Sequence, residues 1–183
     1  MKARRRVRIT WLEMREPGWL RPARGRAPAV RRMREPVPEF ARFLYETVGG
    51  PWLWYERRGW SDAAWAARLA DPGVELWVAC RGGSPVGYFE LERCAGEVQM
   101  VHFGLLPRFI GRGWGGPLLA RAVQIAWRGQ VRRVWLHTCS LDHPAALANY
   151  LARGFRIVRE ESRTVLLPLP VTPGRSADSP ASG

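Results

Sequence analysis

Hydrophobic and polar positions change period several times along the chain, and each change marks an element. Val7 to Met14 alternates weakly and predicts a first strand. Phe40, Phe43, Leu44 and Thr47 recur at helical spacing, so Pro38 to Val48 predicts an amphipathic helix, ended by Gly49-Gly50-Pro51. Ser61-Asp62 caps a second, short helix that carries Trp65 and Leu69 and stops at Asp71-Pro72-Gly73. Val74 to Cys80 and Val86 to Leu91 are strands flanking Arg81-Gly82-Gly83-Ser84-Pro85, a hairpin signal. Val98 to Leu106 predicts a further strand, Leu118 to Trp127 a helix and Arg132 to Cys139 a strand. His143 to Arg153 predicts a helix closed by Gly154. Arg156 to Glu160 and Thr164 to Leu169 predict a closing strand pair. Pro17 to Pro38 is rich in Pro, Arg and Gly and reads as a loop, while the segment from Pro170 on is small, polar and expected to be disordered. Residues 1–169 are thus expected to form a single α/β domain, followed by a tail over 170–183.

Composition narrows the class. A chain of 183 residues suits one sizeable core. No apolar run reaches the roughly 18 residues that span a membrane, and no apolar signal region follows the basic start. A cytoplasmic protein without membrane contact is expected. Cys80, Cys94 and Cys139 are too few and too scattered for a disulfide framework or a zinc site, and no metal spacing links the three histidines, so no metal is expected. The net charge of +13 is almost all arginine, Lys2 being the only lysine. With abundant Ala, Gly, Pro and Trp, this resembles coding bias in a GC-rich genome. The field is still positive, and it concentrates at Arg4, Arg5, Arg6 and Arg8 and between Arg21 and Arg34. A nucleic-acid partner for that basic N-terminus is the lesser reading, because no recognition fold accompanies it. A homodimer is compatible with the sequence.

The chemistry concentrates in Phe109-Ile110-Gly111-Arg112-Gly113-Trp114-Gly115-Gly116, between the apolar run Val98 to Leu106 and a helical pattern that starts at Pro117. A helix start exposes unpaired N–H groups and the positive end of the macrodipole, and glycines let backbone approach an anion closely. The turn therefore points to a phosphate-bearing ligand. It lacks the Lys-Ser/Thr ending of a nucleotide-hydrolysing P-loop. Gly111-x-Gly113-x-x-Gly116 meets the dinucleotide fingerprint, but no Asp or Glu lies between the turn and Asp142 to hold a ribose.

The second half of the chain instead resembles the GCN5-related N-acetyltransferase (GNAT) superfamily. Gly113 and Gly115 take the two small positions of its Gln/Arg-x-x-Gly-x-Gly/Ala acetyl-CoA motif, and Leu118 and Leu119 open the core face of the helix. The Gln/Arg position falls on Ile110, a departure, with Arg108 and Arg112 nearby as cations for the pyrophosphate. A second signature follows: the run from His143 through Ala146, Tyr150 and Gly154 to Phe155 is similar to the family's Asn-x-x-Ala-x-x-x-Tyr-x-x-x-Gly-Phe helix, with His143 replacing Asn. Together the signatures cover residues 85–160.

The resemblance implies a mixed, mostly antiparallel sheet flanked by helices, with a strand–glycine turn–helix site for acetyl-CoA as cosubstrate. It implies acetyl transfer to a primary amine on a small molecule or peptide by direct attack on the thioester. The alternative is a noncatalytic CoA-binding or nucleic-acid-associated regulator that keeps the fold. By the same resemblance, the strand before the turn offers a free backbone N–H to the thioester oxygen near Phe103, Gly104 and Leu105, and Tyr150 takes the place of the general acid. The cofactor would further touch Arg108, Ile110, Gly111, Arg112, Gly113, Trp114, Gly115 and Gly116. Among candidate bases, Glu90 ranks first and His102, whose pKa suits proton transfer near neutrality, second. Glu92 shares a face with Glu90, and Glu97 begins the next strand. The cluster Pro51-Trp52-Leu53-Trp54-Tyr55-Glu56 either packs on the sheet or walls the acceptor pocket.

Overall fold

The computed structural model describes residues 2–35 and 37–168. Its centre is a seven-stranded sheet made of β1 (Lys2–Met14), β2 (Ala29–Arg32), β3 (Val74–Arg81), β4 (Ser84–Cys94), β5 (Glu97–Leu105), β6 (Arg133–Cys139) and β7 (Arg156–Pro168), in the order β2-β3-β4-β5-β6-β1-β7. Every neighbouring pair is antiparallel except β5 and β6. The helices are α1 (Pro38–Gly49), α2 (Asp62–Ala70), α3 (Gly115–Ala126) and α4 (Ala146–Ala152). The sheet is therefore mixed and mostly antiparallel, flanked by helices. No helix among the described residues is long and apolar enough to cross a membrane.

Two clusters of buried side chains hold the layers together. Ala41, Leu44, Tyr45 and Val48 of α1 and Trp65 of α2 pack on Leu76, Val78 and Tyr88 of β3 and β4. Phe89 and Leu91 of β4 meet Leu118, Leu119, Ala122 and Val123 of α3, together with Tyr150 and Phe155. Tyr88 and Phe89 are consecutive, so the alternation of a strand sends one to each cluster. Ser61 caps α2 as expected, its Oγ accepting the Ala64 N–H.

Three expectations change where pairing outweighs local pattern. The closing strand pair is one continuous strand, β7, because Glu161-Ser162-Arg163 contains no Gly, Pro, Asn or Asp and its backbone pairs with Ile9, Arg8 and Val7 on β1. That same pairing extends β1 back to Lys2, through a basic stretch with little apolar character of its own. Inside the expected loop from Pro17 to Pro38, Ala29–Arg32 joins the sheet edge against β3. Two helix starts also move: α3 begins at Gly115, and α4 begins at Ala146 after a His143-Pro144 turn. The tail over 170–183, expected to be disordered, and residue 169 lie outside the described residues.

One feature of the sheet positions the site. β5 pairs with β6 only over Glu97–Gln99, opposite Arg133–Trp135. Beyond Gln99 the two strands part, and a gap opens toward the glycine turn.

Candidate active site

A cleft of about 860 Å³ follows that gap. Its floor is the end of β5, from Met100 to Leu105; one end is the turn at Ile110, Gly111 and Gly113 with the first residues of α3; its walls include Tyr150 of α4 and the segment Trp52 to Glu56. Leu106 donates its N–H to the Val86 carbonyl on β4, so strand alternation turns the Phe103 and Leu105 N–H groups the other way, into the gap.

The turn has the shape an anion needs. Gly111 and Gly113 have φ of 81° and 75°, and a Cβ on either would meet nothing within 4 Å. The glycines thus serve the backbone path, and their open side faces the cleft. Trp114, at the N-cap of α3, provides no side-chain cap, which leaves the Gly115 and Gly116 N–H groups without an acceptor among the described residues; Pro117 follows within the first turn, where it costs no hydrogen bond.

The cations at this end are not those expected. Arg108 and Arg112 lay their guanidinium groups on the Phe109 ring, at 5.7 and 5.2 Å, and Trp114 stacks on Phe109; none of Arg108, Arg112 and Trp114 lines the cleft. The cleft receives Arg153 from the end of α4 and Arg24 from the segment between β1 and β2. A Cβ on Gly116 would come within 2.8 Å of an Arg153 guanidinium nitrogen, and the buried Arg153 Nε has no hydrogen-bond partner among the described residues. The segment that carries Arg24 is held down by the Arg21 N–H, which donates to the Arg153 carbonyl, and a Cβ on Gly25 would lie 3.8 Å from Pro117. The sequence pattern did not single out either arginine; a cation just before Gly154, at the end of the Tyr150 helix, was the one available signal for Arg153.

At the other end, His102 lines the cleft although it is only 7% exposed. Trp54, Tyr45 and Tyr88 surround its ring at centroid distances of 4.7, 5.1 and 6.3 Å. Gly49 has no side chain because the Trp54 indole occupies the space a Cβ would need. The His102 Nδ1 lies 3.3 Å from the Glu90 carboxylate, an acceptor-only group when ionised, so Nδ1 carries the proton and Nε2 keeps its lone pair. Burial pushes His102 below its ordinary value of 6.5 against the pull of Glu90, and the imidazole is neutral at pH 7.

Glu90, the first-ranked base, does not line the cleft. Its carboxylate accepts two hydrogen bonds from Arg57, at 2.7 and 2.8 Å, and two from Arg68, at 2.9 and 2.6 Å. Burial alone would raise its pKa; the bonds from His102 and Arg57 outweigh it and hold the carboxyl well below the usual range. A carboxylate so occupied has little affinity for another proton. Glu92 shares the Arg68 guanidinium at 2.6 Å, and Glu97 pairs with Arg133 at 3.2 Å. His143 closes the α4 entry, its Nδ1 accepting the Ala145 N–H at 3.0 Å.

Tyr150 is 8% exposed, and its ring is fixed edge-on by Phe103 and Phe155. Its hydroxyl has no hydrogen-bond partner among the described residues, and the residue lines the cleft. Burial, then the charge of Asp142, pushes the phenol well above its ordinary value of 10, so it stays protonated.

The model of the Acetyltransferase (GNAT) family matches residues 38–155. The chain belongs to that family. Solved structures share the family fold at low identity. A functionally unknown conserved protein from Staphylococcus epidermidis is 16% identical with a TM-score of 0.62, over 90% of this chain and 63% of its own. A GCN5-related N-acetyltransferase from Sphaerobacter thermophilus is 20% identical with a TM-score of 0.60, over 91% and 51%. One from Kribbella flavida is 18% identical with a TM-score of 0.61, over 88% and 58%. The chain thus spans between 51% and 63% of the length of these GNAT-like structures. No curated protein matches the sequence.

Proposed function

We propose that the chain is an acetyl-CoA-dependent N-acetyltransferase that passes an acetyl group to a primary amine by direct attack on the thioester. The observation that carries this reading is one cleft joining a glycine turn and the open start of a helix to a neutral buried histidine and an unpartnered phenol. The glycine turn, the Gly115 and Gly116 N–H groups, Arg153 and Arg24 would hold the cofactor phosphates. The Phe103 and Leu105 N–H groups face the gap where the thioester oxygen would gather charge.

His102 takes the proton from the attacking amine through Nε2, and Glu90 keeps the Nδ1 proton in place, which makes Glu90 a positioning residue rather than the base. Nitrogen bonds to the carbonyl carbon, the carbon–sulfur bond breaks, and the Tyr150 hydroxyl donates a hydrogen bond and then its proton to the departing sulfur. A phenol of raised pKa donates only as the thiolate forms, and solvent then restores its proton.

The test is free-thiol release from acetyl-CoA across a panel of amines, with the melting temperature followed on adding acetyl-CoA. A melting shift together with amine-dependent thiol is the expected result. A melting shift with no thiol from any amine would leave a noncatalytic CoA-binding protein. Stabilisation by NADH and not by acetyl-CoA would return the turn to dinucleotide binding.

A further inference from the structure

Charge is sorted along the cleft. The end at the glycine turn presents Arg24 and Arg153; the end beyond His102 presents two carboxylates, Glu56 and Asp142, among aromatic walls. In a chain with 29 basic and 16 acidic residues, an acid without a cation runs against composition.

Neither carboxylate has a basic partner within 4 Å among the described residues. Glu56 is followed by two arginines, and both guanidinium groups are engaged elsewhere. Arg57 turns inward to Glu90, and Arg58 donates to the Gly50 carbonyl. Asp142 accepts the Thr138 hydroxyl at 2.6 Å, the Cys139 N–H at 2.9 Å and the Trp54 indole N–H at 3.3 Å. These are neutral donors, so its charge stays in the cleft, where it adds to burial, the larger cause, in raising the Cys139 thiol and the Tyr150 phenol. Glu56 likewise opposes the lowering of His102. The unpartnered hydroxyl of the nine-tenths buried Tyr150 faces the same space.

The walls at this end are flat and apolar. Trp54 is locked by its bond to Asp142, Trp52 packs edge-on against His143 at 4.9 Å, and Tyr55 is 40% exposed. Between Trp52 and Trp54, Leu53 takes a left-handed φ of 58°, a conformation a non-glycine residue holds only where its surroundings impose it, and Leu53 also lines the cleft. Rings and weakly hydrated cations bind to such a surface through stacking and the negative face of the indoles.

We propose that the acceptor is a small primary amine with one positive charge on an apolar, ring-containing body, an arylalkylammonium ion. Its ring rests against Trp52, Trp54 and Tyr55, its ammonium is drawn in by Glu56 and Asp142 and gives one proton to solvent before attack, and His102 takes the second as the amide forms. This rests on the acetyl-transfer reading above. A polycation would need more than two carboxylates, one of them already hydrogen-bonded to three donors. An amine with a carboxylate of its own would meet repulsion from both.

The experiment measures binding separately from turnover. The protein is saturated with CoA, which cannot react, and titrated calorimetrically with tryptamine, phenethylamine, spermidine, kanamycin and glutamate at low and high salt. Tryptamine and phenethylamine bind most tightly and weaken with salt, and Glu56→Gln lowers their affinity about fivefold, the scale of one partly exposed charge pair. Glu56 makes no ion pair among the described residues, so this variant keeps the fold, and an unchanged CoA melting shift verifies it. Tighter binding of spermidine, kanamycin or glutamate, no binding of either arylalkylamine, or an indifferent Glu56→Gln overturns the proposal. Thiol release from acetyl-CoA in parallel separates the two readings. Arylalkylamine binding without thiol sinks the transfer chemistry and leaves this recognition standing; thiol from other amines alone does the reverse.

Discussion

Tyr150→Phe removes one oxygen and nothing else from the centre of the cleft. The ring sits 6.3 Å from Phe103 and 6.1 Å from Phe155, centroid to centroid, and those contacts belong to carbon atoms that phenylalanine keeps. The hydroxyl makes no hydrogen bond to the described residues, so its loss leaves no partner stranded. The stability change is accordingly below about 1 kcal/mol in either direction, which for a chain of this size is no more than about 4 °C in Tm. The catalytic effect is far larger if the hydroxyl protonates the departing sulfur. Loss of a general acid costs about 10²–10⁴-fold in rate, or about 2.7–5.4 kcal/mol of barrier. The assay is single-turnover thiol release, which reads the chemical step directly, beside the melting shift caused by acetyl-CoA. The expected variant has an unchanged fold, an unchanged acetyl-CoA shift and a slow chemical step. A single-turnover rate near that of the parent would refute the reasoning and reduce Tyr150 to a packing residue.

Four other outcomes are expected. Gly113→Val places a β-branched residue at a φ of 75° where no atom obstructs it, so the fold loses only about 1–2 kcal/mol of backbone strain, whereas the acetyl-CoA melting shift disappears. Arg153→Ala weakens acetyl-CoA about 10–100-fold by calorimetry, the scale of a charged hydrogen bond; an unchanged Kd would return the phosphates to Arg108 and Arg112. Glu90→Gln leaves the buried Arg57 uncompensated, while Arg68 keeps Glu92, and costs about 3–5 kcal/mol, read as a denaturant midpoint; a silent substitution would show the Arg57–Glu90 pair to be solvated. Stability falls on acidification in two stages. Below 6.5 the unfolded chain binds a proton that buried His102 refuses, and below 4.5 it binds one that Glu90 refuses, so in both ranges ΔG of unfolding rises with pH; a flat Tm between pH 7 and pH 5, read by a thermal scan, would contradict the first stage.

Much of this protein is local, and the sequence alone determined it. Helical spacing at Phe40, Phe43 and Leu44, the Ser61 cap, the hairpin glycines at 82 and 83, and the glycine turn each act within one or two turns of chain, where backbone sterics and short-range hydrogen bonds decide the conformation. The resemblance of residues 85–160 to acetyltransferases rests on the same local spacings. What tertiary structure alone decided lies between residues far apart in the chain. Whether Glu90 is a base depends on Arg57 and Arg68, which lie 33 and 22 residues away, and on His102 across the β4–β5 ladder. No periodicity encodes that a helix-end arginine at 153 comes to rest on Gly116, or that two arginines beside Glu56 both turn elsewhere. The length of β7 was decided the same way: Glu161-Ser162-Arg163 has no apolar face, and only the backbone donors and acceptors of β1 hold it extended. Local sterics select an element, but the charge state of a buried carboxylate and the reach of a guanidinium follow from what the finished fold places within a few ångströms.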